Sequence, residues 1–127
     1  MSNNPNLLSP LSLAFVGDAV FSLEVRKRIV LDKSRPVGDL HKEAVKYVNA
    51  ASQAQTVKKL LPLLNEDEEA IFRRGRNAHT GHTPKNQSEG DYHYATGFEA
   101  LFGYLFLSGN EERIKQLFDL IWSENLG

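Results

Sequence analysis

The chain has 127 residues, 41% of them hydrophobic and 24% charged, a composition typical of one globular domain and not of a disordered chain. Its 15 Lys and Arg residues against 16 Asp and Glu leave a net charge of −1, so any attraction to a polyanion has to come from local clusters of positive charge. The sequence contains no cysteine, which excludes disulfide bonds and thiolate metal sites.

The N-terminal segment carries no recognisable targeting signal. Residues 1–8 lack the basic start and the apolar run of a signal peptide. No apolar stretch of the chain approaches the ~20 residues that a membrane-spanning helix needs. We therefore expect a cytoplasmic protein that makes no contact with a membrane.

Helix signals begin early in the chain, and the sustained alternation of apolar and polar residues that marks strands is missing from the sequence. Ser9 followed by Pro10 is typical of a helix N-terminus. An apolar row at helical spacing then runs through Leu11, Phe15, Ala19 and Leu23, and Val16, Val20 and Ile29 widen this apolar face of the first helix.

Five further helices are predicted along the chain. Asp39 and Asp91 are candidate caps for the second and fifth helices, and Pro62 should end or kink the third. Asn65 and Glu68 have the spacing of a capping box at the start of the fourth. The predicted helices span about residues 10–31, 40–48, 52–64, 66–78, 92–107 and 111–124. The sequence therefore predicts an all-α bundle that forms a single domain, residues 1–127, with its clearest loop at 79–90.

Two acidic residues occupy unusually apolar surroundings. Asp18 lies within AFVGDAVF and Glu99 within ATGFEALFGYLF. A carboxylate removed from water is costly unless it is paired, hydrogen-bonded or bound to a metal. Small residues stand beside each acid and would let the two helices approach closely: Gly17 and Ala19 next to Asp18, and Ala100 next to Glu99 with Gly103 one turn further on. Such an approach would bring the two carboxylates together.

The residues leave two interpretations of these acids open. Each acid could be satisfied separately by a hydroxyl group, a helix N-terminus or a basic partner. Alternatively, Asp18 and Glu99 share a site in which a divalent cation relieves their mutual repulsion. Oxygen ligands without cysteine suit Mg²⁺ or Mn²⁺ rather than zinc, and such a site would serve phosphodiester hydrolysis.

Both acidic segments resemble motifs of a known family. LAFVGDAVF is similar to the E-F-L-G-D-A signature of ribonuclease III catalytic domains, and FEALFGYLFL is similar to that family's F-E-A-L-[IL]-G motif. The order of the two motifs and their separation of about 80 residues also match. The stretch GRNA…TPKN between them resembles the Mini-III subfamily, which has the catalytic domain without a double-stranded-RNA-binding domain. The resemblance covers nearly the whole chain.

The resemblance implies a fold, an activity and a set of partners. The fold is the all-α ribonuclease III-type endonuclease domain, in a symmetric homodimer that cuts both strands of double-stranded RNA. Asp18 and Glu99 match the family's metal-binding catalytic acids, which use Mg²⁺, with Mn²⁺ as a substitute. Mini-III enzymes are associated with trimming precursor 23S ribosomal RNA. A ribosomal protein or the pre-ribosome is therefore an expected partner.

Three positions depart from the full ribonuclease III pattern. The signature glutamates are replaced by Leu11 and Ala14, and the aspartate three residues before the second-motif glutamate is replaced by Thr96. Fewer carboxylates should weaken metal binding and leave more of the coordination shell to water and RNA phosphate. The number of metal ions per site is left open.

A basic stretch lies between the two motifs and is a candidate RNA contact. It carries Arg73, Arg74, Arg76 and Lys85 with no acidic residue before Glu89. We expect RNA contacts from Arg74, Arg76, Asn77 and Lys85. The alternative is a solvated basic helix end favoured by the helix dipole. Lys58-Lys59, by contrast, is expected to be a solvated face.

Two other functions compete with the endoribonuclease. A non-catalytic RNA-binding or ribosome-associated module on the same fold would account for the lost acids at Ala14 and Thr96. A helical protein-interaction domain with no RNA role leaves the basic stretch and the paired motifs unexplained. Metal-dependent cleavage separates the first competitor from the enzyme, and salt-dependent RNA binding separates the second.

Overall fold

A computed structural model describes residues 4–78 and 88–123, and these residues are helical with no strands. Short 3-10 turns lie at Pro5–Leu7 and Leu61–Leu63. The six helices are α1 (Pro10–Asp32), α2 (Val37–Val45), α3 (Ala50–Leu60), α4 (Glu66–Arg76), α5 (Glu89–Leu107) and α6 (Glu111–Ser123). The predicted all-α fold class is therefore confirmed. Among the described residues, no helix is long and apolar enough to cross a bilayer.

Two helices begin at the side-chain caps that the sequence predicts. The Ser9 hydroxyl accepts a hydrogen bond from the backbone N–H of Ser12 at 3.1 Å and starts α1. Asn65 and Glu68 form the predicted capping box of α4.

The predicted caps of two other helices are wrong. Ser88, not Asp91, caps α5, and its hydroxyl accepts the Asp91 backbone N–H at 3.0 Å. Pro36 occupies the cap position of α2, which places Asp39 in the first turn rather than before it. There its carboxylate still favours the positive end of the helix dipole.

Helix α5 is the centre of the bundle, because α1, α3, α4 and α6 all contact it. Phe21 of α1 packs its ring edge-on against Phe98 and Phe102 of α5, with ring centroids 5.4 and 5.7 Å apart. Phe118 of α6 joins the same cluster, 5.3 Å from Phe21. The aromatic residues around Glu99 are therefore mainly core, although Phe106 is 45% exposed.

The apolar face predicted for α1 is buried on one side only. Val20 and Ile29, which were expected to widen that face, enter the core together with Val25. Phe15 is 83% exposed and Leu23 is 62% exposed. Helical spacing therefore predicted the apolar residues of α1 correctly, but not which of them enter the core.

Glycines allow α5 to lie in backbone contact with its neighbours. A Cβ added at Gly17 of α1 would overlap the carbonyl oxygen of Glu99, and one added at Gly103 of α5 would overlap that of Leu13. The crossing of α1 and α5 therefore requires glycine at both positions. This is the close approach that the small residues beside the two acids predicted.

Candidate active site

The helix crossing at Gly17 and Gly103 brings together the two acidic residues that the sequence singles out. Asp18 follows Gly17 directly, and Gly17 lies against the backbone of Glu99. The side chains of Asp18 and Glu99 meet within hydrogen-bonding contact across the crossing. Their pairing is an observation of the structure, whereas their role as catalytic metal ligands stays a prediction.

The two acids differ in their exposure to water. Glu99 is partly buried between α1 and α3, but Asp18 is exposed. The expectation that both carboxylates are desolvated is therefore wrong for Asp18. The neighbouring residue Ala19 is exposed as well. The pair thus has one shielded member and one that faces solvent.

Burial and the neighbouring Asp18 make Glu99 a weak acid. Three effects together raise the pKa of Glu99 from its ordinary value of 4.5 to about 8: desolvation, which is the largest, the negative charge of Asp18, and the hydrogen bond between the two carboxyl groups. A hydrogen bond from Gln53 acts in the opposite direction. At neutral pH, the protein without a metal ion holds a proton at this pair.

Glu99 should make the metal-free protein less stable as the pH rises. Between the unfolded pKa of 4.5 and the folded pKa of about 8, the folded chain holds a proton that the unfolded chain releases, so the free energy of unfolding falls across this window. Melting temperatures measured in EDTA from about pH 5 to pH 8 should decline less in Glu99→Gln than in the parent. Glu89→Gln removes a carboxyl group of α5 that is 78% exposed and should keep the parental decline. Equal slopes in all three proteins would contradict the assignment.

Gln53 is a residue of this site that sequence reasoning missed. It is only 4% exposed, and its Nε2 donates a hydrogen bond to Oε2 of Glu99 at 3.4 Å. A signal for it exists in the sequence, since Gln53 falls on the apolar stripe of α3 between Ala50 and Val57. The Gln53 amide is neutral, so it does not stand out among candidate residues chosen for their ionisable side chains.

The donor set of the site suits a hard divalent cation. Asp18 and Glu99 offer carboxylate oxygens, and their mutual repulsion would be relieved by a positive ion. Within residues 4–78 and 88–123, no group of three His, Cys, Asp or Glu side chains is arranged to hold a metal. Two protein carboxylates would therefore leave most of an octahedral shell to water and substrate oxygens.

The predicted RNA-contact residues at the end of α4 are partly engaged within the chain. Arg74 donates hydrogen bonds to the backbone carbonyls of Asn6 and Leu8 at 3.4 and 3.3 Å, so it holds the N-terminal segment against α4. Arg76 donates from Nε to the side-chain oxygen of Asn77 at 3.1 Å. Lys85 lies outside the described residues. The RNA-binding role of these four residues stays a prediction.

A pair of cations flanks Tyr94 on α5, close in sequence to Glu99. The Lys58 amine lies 4.8 Å from the centre of the Tyr94 ring, and the Arg76 guanidinium lies 5.8 Å from it. Lys58 was expected to belong to a solvated face, and it is exposed. It nevertheless contacts the same tyrosine ring as Arg76, so α3 and α4 both contribute a cation to this surface. This juxtaposition links residues 18 positions apart and is not visible in the sequence.

An all-helical domain that pairs two carboxylates at a tight helix crossing and carries Lys and Arg side chains around Tyr94 has the features of a helical phosphodiesterase. Comparison with known protein families agrees with this class. The chain belongs to the ribonuclease III domain family, whose model matches residues 11–110.

Individual relatives place the chain near one branch of that family. It is 56% identical to a Mini-ribonuclease 3 of Thermoanaerobacter sp. over 113 residues, which are 89% of this chain and 80% of the relative. It is 46% identical to a Mini-ribonuclease 3 of Brevibacillus brevis over 117 residues, 92% of this chain and 87% of the relative. A crystal structure of a Fusobacterium nucleatum protein superposes with a TM-score of 0.87 at 32% identity, covering 98% of this chain and 99% of that one. The predicted ribonuclease of the Mini-III type is confirmed.

Proposed function

We propose that this chain is a divalent-metal-dependent endoribonuclease that cuts double-stranded RNA as a homodimer. The observation that carries the proposal is the contact between the side chains of Asp18 and Glu99 at the crossing of α1 and α5. Mg²⁺ is the proposed ion, with Mn²⁺ as a substitute. Maturation of the ends of precursor 23S ribosomal RNA in the cytoplasm is the proposed task, and a ribosomal protein or the pre-ribosome the proposed partner. The names of the relatives support the activity, and the resemblance to Mini-III supports the task.

Each side chain of the site has a distinct part in the proposed reaction. Asp18 and Glu99 would hold the cation, and the bound cation would supply charge neutralisation at the phosphate and a more acidic water. Glu99 must first release the proton that it holds at neutral pH. Asp18 is exposed in the single chain, and the proposed dimer has to leave it open to an RNA phosphate. Water attacks phosphorus and the 3′ oxygen leaves, so the product retains a 5′-phosphate, as the family resemblance implies.

The proposed RNA contacts extend from the acidic pair across the end of α4. Arg74, Arg76, Asn77 and Lys85 are proposed to bind phosphate and sugar groups. Cations near the carboxylates offset the repulsion that a polyanion would otherwise meet there. Because no base edge is needed for such contacts, the proposed recognition depends on the shape of the duplex rather than on its sequence.

The uncovered face of α1 supports the homodimer. Phe15, Leu23 and Leu31 are 83%, 62% and 76% exposed and lie at helical spacing on one side of the helix. They line an open groove between α1 and α6, to which Phe106 and Trp122 also contribute. Exposed apolar patches of this kind mark protein interfaces. A second copy is the proposed occupant, since it would place a second acidic pair on the same duplex.

Charged substitutions on this face should dissociate the dimer. Phe15→Asp with Leu23→Asp would bury two carboxylates in the interface, which should raise the dimer dissociation constant by about 100-fold or more. Sedimentation velocity against protein concentration measures this shift. Val37→Asp, at an 80% exposed position of α2, is the matched control and should leave the dissociation constant unchanged. A monomeric parent, or a dimer indifferent to both substitutions, would count against the interface.

The decisive experiment compares RNA substrates and metal conditions. The purified chain should cut a long RNA duplex into discrete products in Mg²⁺ at low salt, leave the separated strands intact, and stop cutting in EDTA. Mn²⁺ added in place of Mg²⁺ should restore cleavage. A precursor 23S ribosomal RNA stem, with and without a ribosomal-protein fraction, tests the proposed substrate.

The thinned acidic set favours one alternative, a non-catalytic RNA-binding or ribosome-associated module. Ala14 is buried against apolar neighbours, and the Thr96 hydroxyl donates to the Tyr92 carbonyl at 2.9 Å, so neither replaces a lost ligand. Salt-sensitive duplex binding without cleavage in either metal would support this module over the enzyme.

A further inference from the structure

Gln53 is a buried polar side chain that points at the acidic pair. Its amide is carried on α3, which packs along α5, and it is almost completely removed from water at 4% exposure. The surrounding stripe of α3 is apolar and includes Ala50, Ala54, Val57 and Leu60. A buried amide without a hydrogen bond is costly, and Gln53 finds an acceptor in Glu99 Oε2, 3.4 Å from its Nε2.

The position of Gln53 is itself held by local structure. Asn49 caps α3 by accepting the Ser52 backbone N–H at 2.9 Å, and its own amide donates to the Val45 carbonyl at 2.8 Å. These bonds anchor the first turn of α3, from which Gln53 projects towards α5. The Gln53 amide therefore reaches Glu99 from a helix whose first turn is held in place by two hydrogen bonds of the Asn49 side chain.

The Gln53 amide donates a hydrogen bond without carrying a charge, and this matters beside a proposed cation site. A Lys or Arg in this place would neutralise Glu99 and compete with the cation for its charge. An amide N–H orients the carboxyl group without bringing a positive charge that would compete with the cation. Orientation of each carboxylate matters more when the protein supplies few of them, and no third His, Cys, Asp or Glu among the described residues joins this pair.

We propose that Gln53 is a positioning residue, which holds the Glu99 carboxylate in the orientation that binds the divalent cation. This inference rests on the proposed function, because it assumes that Glu99 is a metal ligand. Gln53 has no proposed contact with the RNA. It acts through Glu99, and its effect should appear in metal binding before any RNA is present.

The test uses the full chain with Gln53→Met, which keeps the size of the side chain and removes the amide. Mn²⁺ affinity is measured without RNA, from the electron paramagnetic resonance signal of the free ion. Duplex cleavage is then measured over a series of Mg²⁺ concentrations. Both the Mn²⁺ dissociation constant and the Mg²⁺ concentration for half-maximal cleavage should rise by about tenfold. Gln55→Met, on the exposed side of the same helix, is the control and should leave both values unchanged.

The possible results distinguish a failure of the proposed Gln53 role from a failure of the proposed function. A Gln53→Met protein that loses thermal stability and cleaves less at every Mg²⁺ concentration, with unchanged metal affinity, would show a purely structural role and overturn the proposal. If the parent binds Mn²⁺ and Glu99→Gln abolishes binding while Gln53→Met does not alter it, the proposed function survives and the role of Gln53 falls. If the parent protein binds no Mn²⁺, both the proposed metal-dependent function and the proposed role of Gln53 are wrong. Gln53→Asn, which keeps the amide but draws it back by one methylene, should give the same shift and replaces Gln53→Met if that variant does not fold.

Discussion

Asp18→Asn and Glu99→Gln should each lower the rate of duplex cleavage by about a thousandfold or more while leaving the protein folded. Each substitution removes one of two carboxylates that hold the proposed cation, and loss of several kcal/mol of transition-state stabilisation corresponds to such a factor. Single-turnover cleavage with saturating protein measures the effect on the chemical step. Glu89→Gln, at the exposed start of α5, should cleave at the parental rate.

The stability of the same variants distinguishes a functional acid from a structural one. Glu99 carries an elevated pKa because it is partly buried and faces Asp18, so Glu99→Gln removes an unfavourable charge from the folded state at alkaline pH. We expect the metal-free variant to melt at the same temperature as the parent or higher at about pH 8. An active Glu99→Gln enzyme with a lowered melting temperature would assign Glu99 a structural role instead.

Gly103→Ala should unfold or strongly destabilise the chain. The added methyl group would overlap the carbonyl oxygen of Leu13, which is helix backbone and cannot rotate away. Helices α1 and α5 would have to separate, at a cost of about 3 kcal/mol and about 10 °C in melting temperature. Urea unfolding followed by circular dichroism measures the loss.

Gly90→Ala is the matched control for this substitution, since it makes the same change in the same helix. A Cβ at Gly90 meets nothing within 4 Å. Alanine is the better helix former, so this variant should gain stability by about 0.5–1 kcal/mol. Similar effects at both positions would indicate that the helix crossing is not as close as the structure places it. Any folded Gly103→Ala protein should also bind Mn²⁺ less tightly, because the crossing sets the distance between Asp18 and Glu99.

Much of the fold was predictable from the sequence because helix boundaries depend on local interactions. The Ser9 cap and the Asn65–Glu68 capping box need only residues three positions apart. The cap of α5 was misassigned to Asp91 because Ser88 three residues earlier competes for the same role, and both residue types cap helices well. In this case local preference did not choose between two good candidates.

The candidate site was predictable only in part. Asp18 and Glu99 stood out because acids within apolar helices are rare, and the glycines beside them indicated a close crossing. Gln53 did not stand out, because its partner Glu99 is 46 positions away in the chain. The same limit applies to Glu68: its part in the capping box is local, whereas its 2.7 Å contact with the Nε of Arg113 joins α4 to α6 over 45 positions.

The helices, their order and the two acids that a site could use are all predictable from the amino-acid sequence. The packing of the helices is needed to show that Phe15 and Leu23 face outwards while Val25 enters the core, that Asp18 is exposed while Glu99 is shielded, and that Gln53 reaches Glu99. The two kinds of information differ because spacing along one helix determines only which residues share a face. Which face is buried depends on the neighbouring helices, and here the glycine crossing of α1 and α5 makes that choice.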